Sequence, residues 1–136
     1  MQRNLRKRLL ELLFLREFHE CDEIEEQNQL YFDVVLPNEG IKNDNKEEVL
    51  EKYNKISDVL SEIDQRLSSE IQKWSFNRTG LVERNILRLC TYEIFYEQLP
   101  EAIAINEAVE LAKEYGGTQS AGFINGVLAK IVKGKS

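Results

Sequence analysis

From Val49 to Leu67 the apolar residues Val49, Tyr53, Ile56, Leu60, Ile63 and Leu67 stand 4, 3, 4, 3 and 4 positions apart. This spacing follows the 3.6-residue turn and draws one apolar seam down a helix, whereas a half-buried strand would alternate at every second residue. The period returns along the chain. It is carried by Leu5, Leu9, Leu12 and Leu13, by Val82, Ile86, Leu89, Cys90 and Ile94, by Ile105, Ala108, Val109 and Ala112, and by Ile124, Val127, Leu128 and Ile131. No segment pairs strand alternation with hairpin turns, and seven glycines and two prolines are few for an all-β chain. The fold class is therefore predicted to be all-α.

Punctuation residues divide these faces into helices. Residues 5–18 are leucine-rich and lack Gly and Pro, and Phe14 lies on the side of Arg3, Arg6 and Lys7. Residues 22–36 predict a second helix, although its tail, LYFDVVLP, has a strand-like composition. Pro37 through Lys46 reads as a loop. The long seam predicts one helix with a bend near Ser68 and Ser69, beyond which Ile71 and Trp74 extend the apolar set. Thr79 is the candidate N-cap of the next helix, Glu83 the acid of its first turn, and Pro100 its stop after about Gln98. Gly116 and Gly117 form a C-terminal stop, with Thr118 capping the last helix.

At 136 residues the chain has the size of one domain, and a chain of that size buries roughly two-thirds of its unfolded surface. No apolar run approaches the ~18 residues a membrane span needs. The N-terminus is basic but has no separate apolar stretch or small-residue cleavage site, so no secretory signal is expected. Cys21 and Cys90 stand 69 positions apart, and His19 is the single histidine, too few ligands for a zinc site. Both thiols read as reduced and cytosolic, Cys90 as a small core residue.

Charge is distributed unevenly. Residues 1–16 carry Arg3, Arg6, Lys7, Arg8 and Arg16 against Glu11, a local charge of +4, while the other 120 residues hold 13 basic and 23 acidic side chains. A basic end on an acidic body points to a localised polyanion contact, and the competing reading is an ordinary solvated helix start. Arg3, Arg6, Lys7 and Arg8 are close enough to meet successive phosphates, and arginine also stacks on bases. Phe123 lies roughly 90° from the middle of the last helix's core stripe, where a ring either closes the core edge or stacks on a base. Gln119 and Asn125 are polar neighbours on the same helix. Catalysis finds no support: there is no phosphate-binding glycine loop, no nucleophile elbow and one histidine, so neither an enzyme nor a cofactor is expected.

The strings LVERNILRLCTYEI (81–94), AINEAVELAKEYG (104–116) and FINGVL (123–128), with Pro100 just before the second, resemble the NusB family of bacterial transcription antitermination factors. The resemblance is strongest from Trp74 to Ile131. RNLRKRLLELLF resembles the family's arginine-rich first helix, and YNKISDVLSEIDQRL fits more loosely. It implies an all-α bundle of about six or seven helices in two small packed subdomains, one helical domain over 1–136 with halves 1–74 and 75–136. It also implies a cytoplasmic binding protein that holds boxA-type single-stranded RNA together with NusE, a small-subunit ribosomal protein, and helps RNA polymerase read through terminators in ribosomal RNA operons. By position, Arg3 and Arg6 would hold phosphates, Gln119 and Phe123 would face RNA, and Phe14 and Glu83 would belong to the NusE contact. The first helix departs from the pattern: Leu5, Arg6 and Lys7 stand where the family has Ala-Arg-Glu, and Phe14 where it often has Tyr. Alternatives are a helical adaptor that binds only protein, and a relative of the accessory domain of a ribosomal RNA methyltransferase. The resemblance leaves a homodimer open.

Overall fold

A leucine-rich run without Gly or Pro winds the first described segment into a helix, and the same logic holds along the chain. The computed structural model describes residues 1–17, 43–71 and 80–135, which form helices and no strand. These are α1 (Arg3–Arg16), α2 (Asn43–Asp58), α3 (Leu60–Ile71), α4 (Leu81–Phe95) and α5 (Glu101–Lys135). The helix expected over 22–36, the start of the following loop, His19, Cys21, Trp74 and Thr79 lie outside the described residues. The chain divides into two compact units, Met1–Lys55 and Ile56–Ser136.

In the first unit, Leu5, Leu9, Leu12 and Leu13 of α1 are buried as their spacing predicts, joined by Leu10. Each fully buried leucine contributes roughly 1.5–3 kcal/mol relative to exposure. Asn43 to Lys46, expected as loop, already belong to α2, which buries Val49 and Tyr53.

In the second unit the long seam is interrupted, but not at the serines. The break is at Val59, whose N–H bonds to Ile56 O three residues back at 3.2 Å. That tighter turn ends α2. The amide of Ile63 then bonds to Val59 O at 3.0 Å and α3 resumes, keeping Ile63 and Leu67 buried. α3 runs through Ser68 and Ser69 because the Ser69 hydroxyl is satisfied locally, donating to Arg66 O at 3.0 Å.

Every residue of α4 from Asn85 to Ile94 is buried, including Cys90, as befits a helix covered all round. Its N-cap is Gly80, which makes no side-chain cap bond, and Arg84 N–H bonds to Gly80 O at 2.9 Å. The helix ends at Phe95, earlier than Gln98. Gln98 takes the left-handed conformation (φ 55°), and Leu99 N–H reaches back to Glu93 O at 2.9 Å. The chain is thus reversed before Pro100, whose ring would oppose a helical residue in front of it. Against the end of α4, Arg66 of α3 lies over the Phe95 ring at 3.9 Å, and Tyr92 stacks on Tyr96 at 5.3 Å.

α5 is one run with a kink at Gly117 (φ 85°, ψ −173°), so the glycine stop is a single-residue corner rather than a loop. In its first half the buried residues are Ala104, Ala108, Leu111 and Ala112, while Ile105 and Val109, expected in the core stripe, are half-buried. The covered face is therefore rotated toward the alanines, whose small side chains let helix axes approach closely. In the second half Ile124, Leu128 and Ile131 are buried as expected, and Val127 is at the margin. No helix among the described residues is long and apolar enough to cross a membrane.

Candidate nucleic-acid interface

Basic residues at the start of a helix work against its own dipole, whose N-terminal end carries roughly half a positive charge. α1 has this arrangement: no acid in its first turn, and no side-chain cap bond from Gln2. The cluster does nothing for the helix end electrostatically, and the dipole adds to the field an approaching phosphate would meet.

The four basic residues are not equivalent. Arg3 is exposed, and Lys7 and Arg8 are half-buried. Arg6 is 4% exposed and donates from Nη1 to Met1 O at 3.2 Å. Its spacing to Leu9, Leu10 and Leu13 is i, i+3, i+4 and i+7, which places it on the covered leucine face. Arg8 pairs with Glu11 Oε2 at 3.0 Å, which neutralises part of the local charge. Of the four, Arg3 is thus the most exposed and Arg6 the most covered. Phe14 is half-buried on the same helix.

The second group of expected residues belongs to the second unit. Gln119 is exposed and Phe123 half-buried, one turn apart on the same edge of α5. Asn125 is exposed but about 160° around the helix from Phe123 and about 120° from Gln119. It lines an open groove between the two halves of α5 with Ile105, Asn106, Val109, Thr118 and Gly122. The structure thus unites Gln119 with Phe123 and sets Asn125 apart.

Glu83 is drawn into this edge by a residue that sequence reading missed. Ser120, between Gln119 and Ala121, donates its hydroxyl to the Glu83 carboxylate across 37 positions of sequence. Two glycines make room for the pair. A Cβ at Gly80 would collide with Glu83 Oε2, and one at Gly116 would lie 2.7 Å from Ser120 Cβ and 3.2 Å from Glu83 Oε1. Of the signals in sequence, Gly116 is the one that bears on this pair, and its place beside Gly117 points equally to a helix stop.

Comparison with known proteins agrees with this architecture. The NusB family model matches residues 3–133. A transcription antitermination protein NusB from Lachnoclostridium phytofermentans is 46% identical over 132 residues, covering 96% of this chain and 98% of the relative. One from Campylobacter jejuni is 43% identical over 113 residues, 83% of this chain and 86% of the relative. Among solved structures, T. maritima NusB superposes with a TM-score of 0.81 at 36% identity, covering 96% of this chain and 89% of that one. A chain from a structure of the antitermination factors NusB and NusE in complex with double-stranded RNA gives a TM-score of 0.78 at 26% identity, covering 97% and 96%.

Proposed function

Since the chain belongs to the NusB family, we propose that it is a transcription antitermination factor that binds boxA-type RNA together with NusE and promotes read-through by RNA polymerase in ribosomal RNA operons. It acts in the cytoplasm, by binding and not by catalysis. The observation that carries this reading is the near full-length likeness to a NusB whose structure holds NusE and RNA.

The described geometry supports a division of labour. Arg3 and Lys7 supply the electrostatic part of RNA affinity, which weakens as salt rises because each phosphate contact releases condensed counterions. Phe123 offers a ring for a base and Gln119 a polar group beside it. Phe14 and Glu83 contribute to the NusE contact, Glu83 while tied to Ser120. RNA and NusE binding are linked, so each raises the affinity of the other by the same factor.

Fluorescence anisotropy of a labelled single-stranded boxA RNA, titrated with the full chain alone and with NusE, tests the proposal. Tight binding with NusE and weak binding without it is expected. Arg3→Ala with Lys7→Ala should lower the salt slope by roughly 0.7 per lost phosphate contact. Phe123→Ala should cost about 1–3 kcal/mol. An RNA duplex of the same sequence serves as competitor and should bind more weakly. No RNA binding with or without NusE would overturn the proposal in favour of an adaptor that binds only protein.

A further inference from the structure

We propose that Glu83 and Ser120 form a positioning pair, which holds the Gln119–Phe123 edge of α5 in the orientation that receives RNA, so that Glu83 influences RNA binding through Ser120. The inference rests on the reading of that edge as an RNA contact.

The argument begins at Gly117. Its backbone (φ 85°, ψ −173°) lies far from helical values, so the hydrogen-bond ladder of the first half of α5 does not dictate the direction of the second. Something else must set the rotation of residues 118–123. The apolar anchors Ala121, Ile124 and Leu128 hold the second half by packing. Packing of this kind tolerates small rotations, because apolar contact has no preferred direction. A hydrogen bond to a carboxylate is directional and stronger than a neutral one.

Ser120 is placed to use that directionality. It immediately follows Gln119 and lies three residues before Phe123, on an adjoining face of the same turn. Its acceptor, Glu83, sits in the first turn of α4, which is buried without interruption from Asn85 to Ile94. The bond therefore ties the edge to the most firmly held helix of its unit. Gly80 and Gly116 flank the pair where any side chain would push one member away. A carboxylate serving only as a solvated first-turn acid would need neither glycine.

The test uses the full chain with NusE, and two measurements: anisotropy of boxA RNA and amide hydrogen exchange at residues 118–123. Ser120→Ala should keep the melting transition, speed exchange at those amides, and weaken RNA binding about tenfold. In a Phe123→Ala background it should weaken binding by much less, because most of its effect passes through the ring and only the Gln119 share remains. Glu83→Gln keeps an oxygen acceptor for the Ser120 hydroxyl and should retain most of the affinity, whereas Glu83→Ala should weaken binding at least as much as Ser120→Ala, since it also removes a side chain of the NusE contact. Gly116→Ala, whose Cβ would drive Ser120 away from Glu83, should also weaken binding. The inference is overturned if Ser120→Ala leaves exchange or affinity unchanged, if its effect adds in full to that of Phe123→Ala, or if Glu83→Gln binds as poorly as Glu83→Ala. A Phe123→Ala chain that binds like the wild type marks a different failure: the RNA reading of the edge falls, and the inference falls with it whatever the exchange shows.

Discussion

Arg88 on α4 forks onto Asp64 on α3, Nε to Oδ1 and Nη2 to Oδ2, each at 2.9 Å. Its remaining nitrogen Nη1 donates to Asn85 Oδ1 at 3.0 Å. Asn85 in turn donates from Nδ2 to Leu81 O at 2.8 Å, so one guanidinium joins α3 to the first turn of α4. Planar bidentate geometry of this kind suits arginine, and a lysine could not reproduce it.

Removing one partner leaves the other charge poorly solvated, because the Arg88 side chain is only 9% exposed. Asp64 is 29% exposed, so water compensates part of the loss. Asp64→Ala is expected to destabilise by about 2–3 kcal/mol in urea unfolding, at the upper end for a charged hydrogen-bonded pair. The double change Asp64→Leu with Arg88→Met removes both charges and should recover most of that. A double variant no more stable than Asp64→Ala alone would show that the ion pair is not the source of the loss.

Two glycines of α5 should respond to alanine with opposite signs. A Cβ at Gly117 or at Gly122 would meet nothing within 4 Å, so crowding does not distinguish them. Backbone conformation does. Gly117 sits at φ 85° and ψ −173°, a region nearly closed to residues with a Cβ, and Gly117→Ala is expected to cost about 1–3 kcal/mol. Gly122 lies within the helix, and Gly122→Ala should stabilise by up to about 1 kcal/mol. Thermal melts of the two variants decide the matter, and equal shifts of the same sign would refute it.

The Tyr96 hydroxyl donates to Glu62 Oε2 at 2.6 Å, and that hydrogen bond, aided by desolvation and the carboxylate's charge, raises its pKa above the usual 10.0. A group whose folded pKa exceeds its unfolded one contributes stability that is fully present below the unfolded value. That contribution is lost as pH rises through the folded value. The stability difference between the wild type and Tyr96→Phe should therefore stay constant from about pH 7 to 9 and shrink above about pH 10. Denaturant melts of both proteins across that range supply the measurement. A difference that grew above pH 10 would show that the hydroxyl does not serve as the donor to Glu62.

How far the sequence could be read varied from element to element. The leucines of α1, the seam through Ile63 and Leu67, and the last stripe of Ile124, Leu128 and Ile131 are buried as their spacing predicts. Arg6 belongs to the leucine face by the same spacing, and its charge is no guide to which side of the helix is covered. In the first half of α5, apolar residues occupy more than one side. Spacing alone could not tell that the alanines would be covered and that Ile105 and Val109 would line an open groove.

By itself the sequence determined that the chain is helical, roughly where its helices turn, and which family it resembles. These follow from local periodicity, from glycine and proline, and from linked strings of residues. Tertiary structure alone decided which side of each helix is covered, and which distant polar groups meet: Arg88 with Asp64 across 24 positions, and Glu83 with Ser120 across 37. The physical reason is that periodicity defines faces about one helix axis, whereas a hydrogen bond between helices depends on the distance and rotation between two axes. That second quantity is set by packing and by the corner at Gly117.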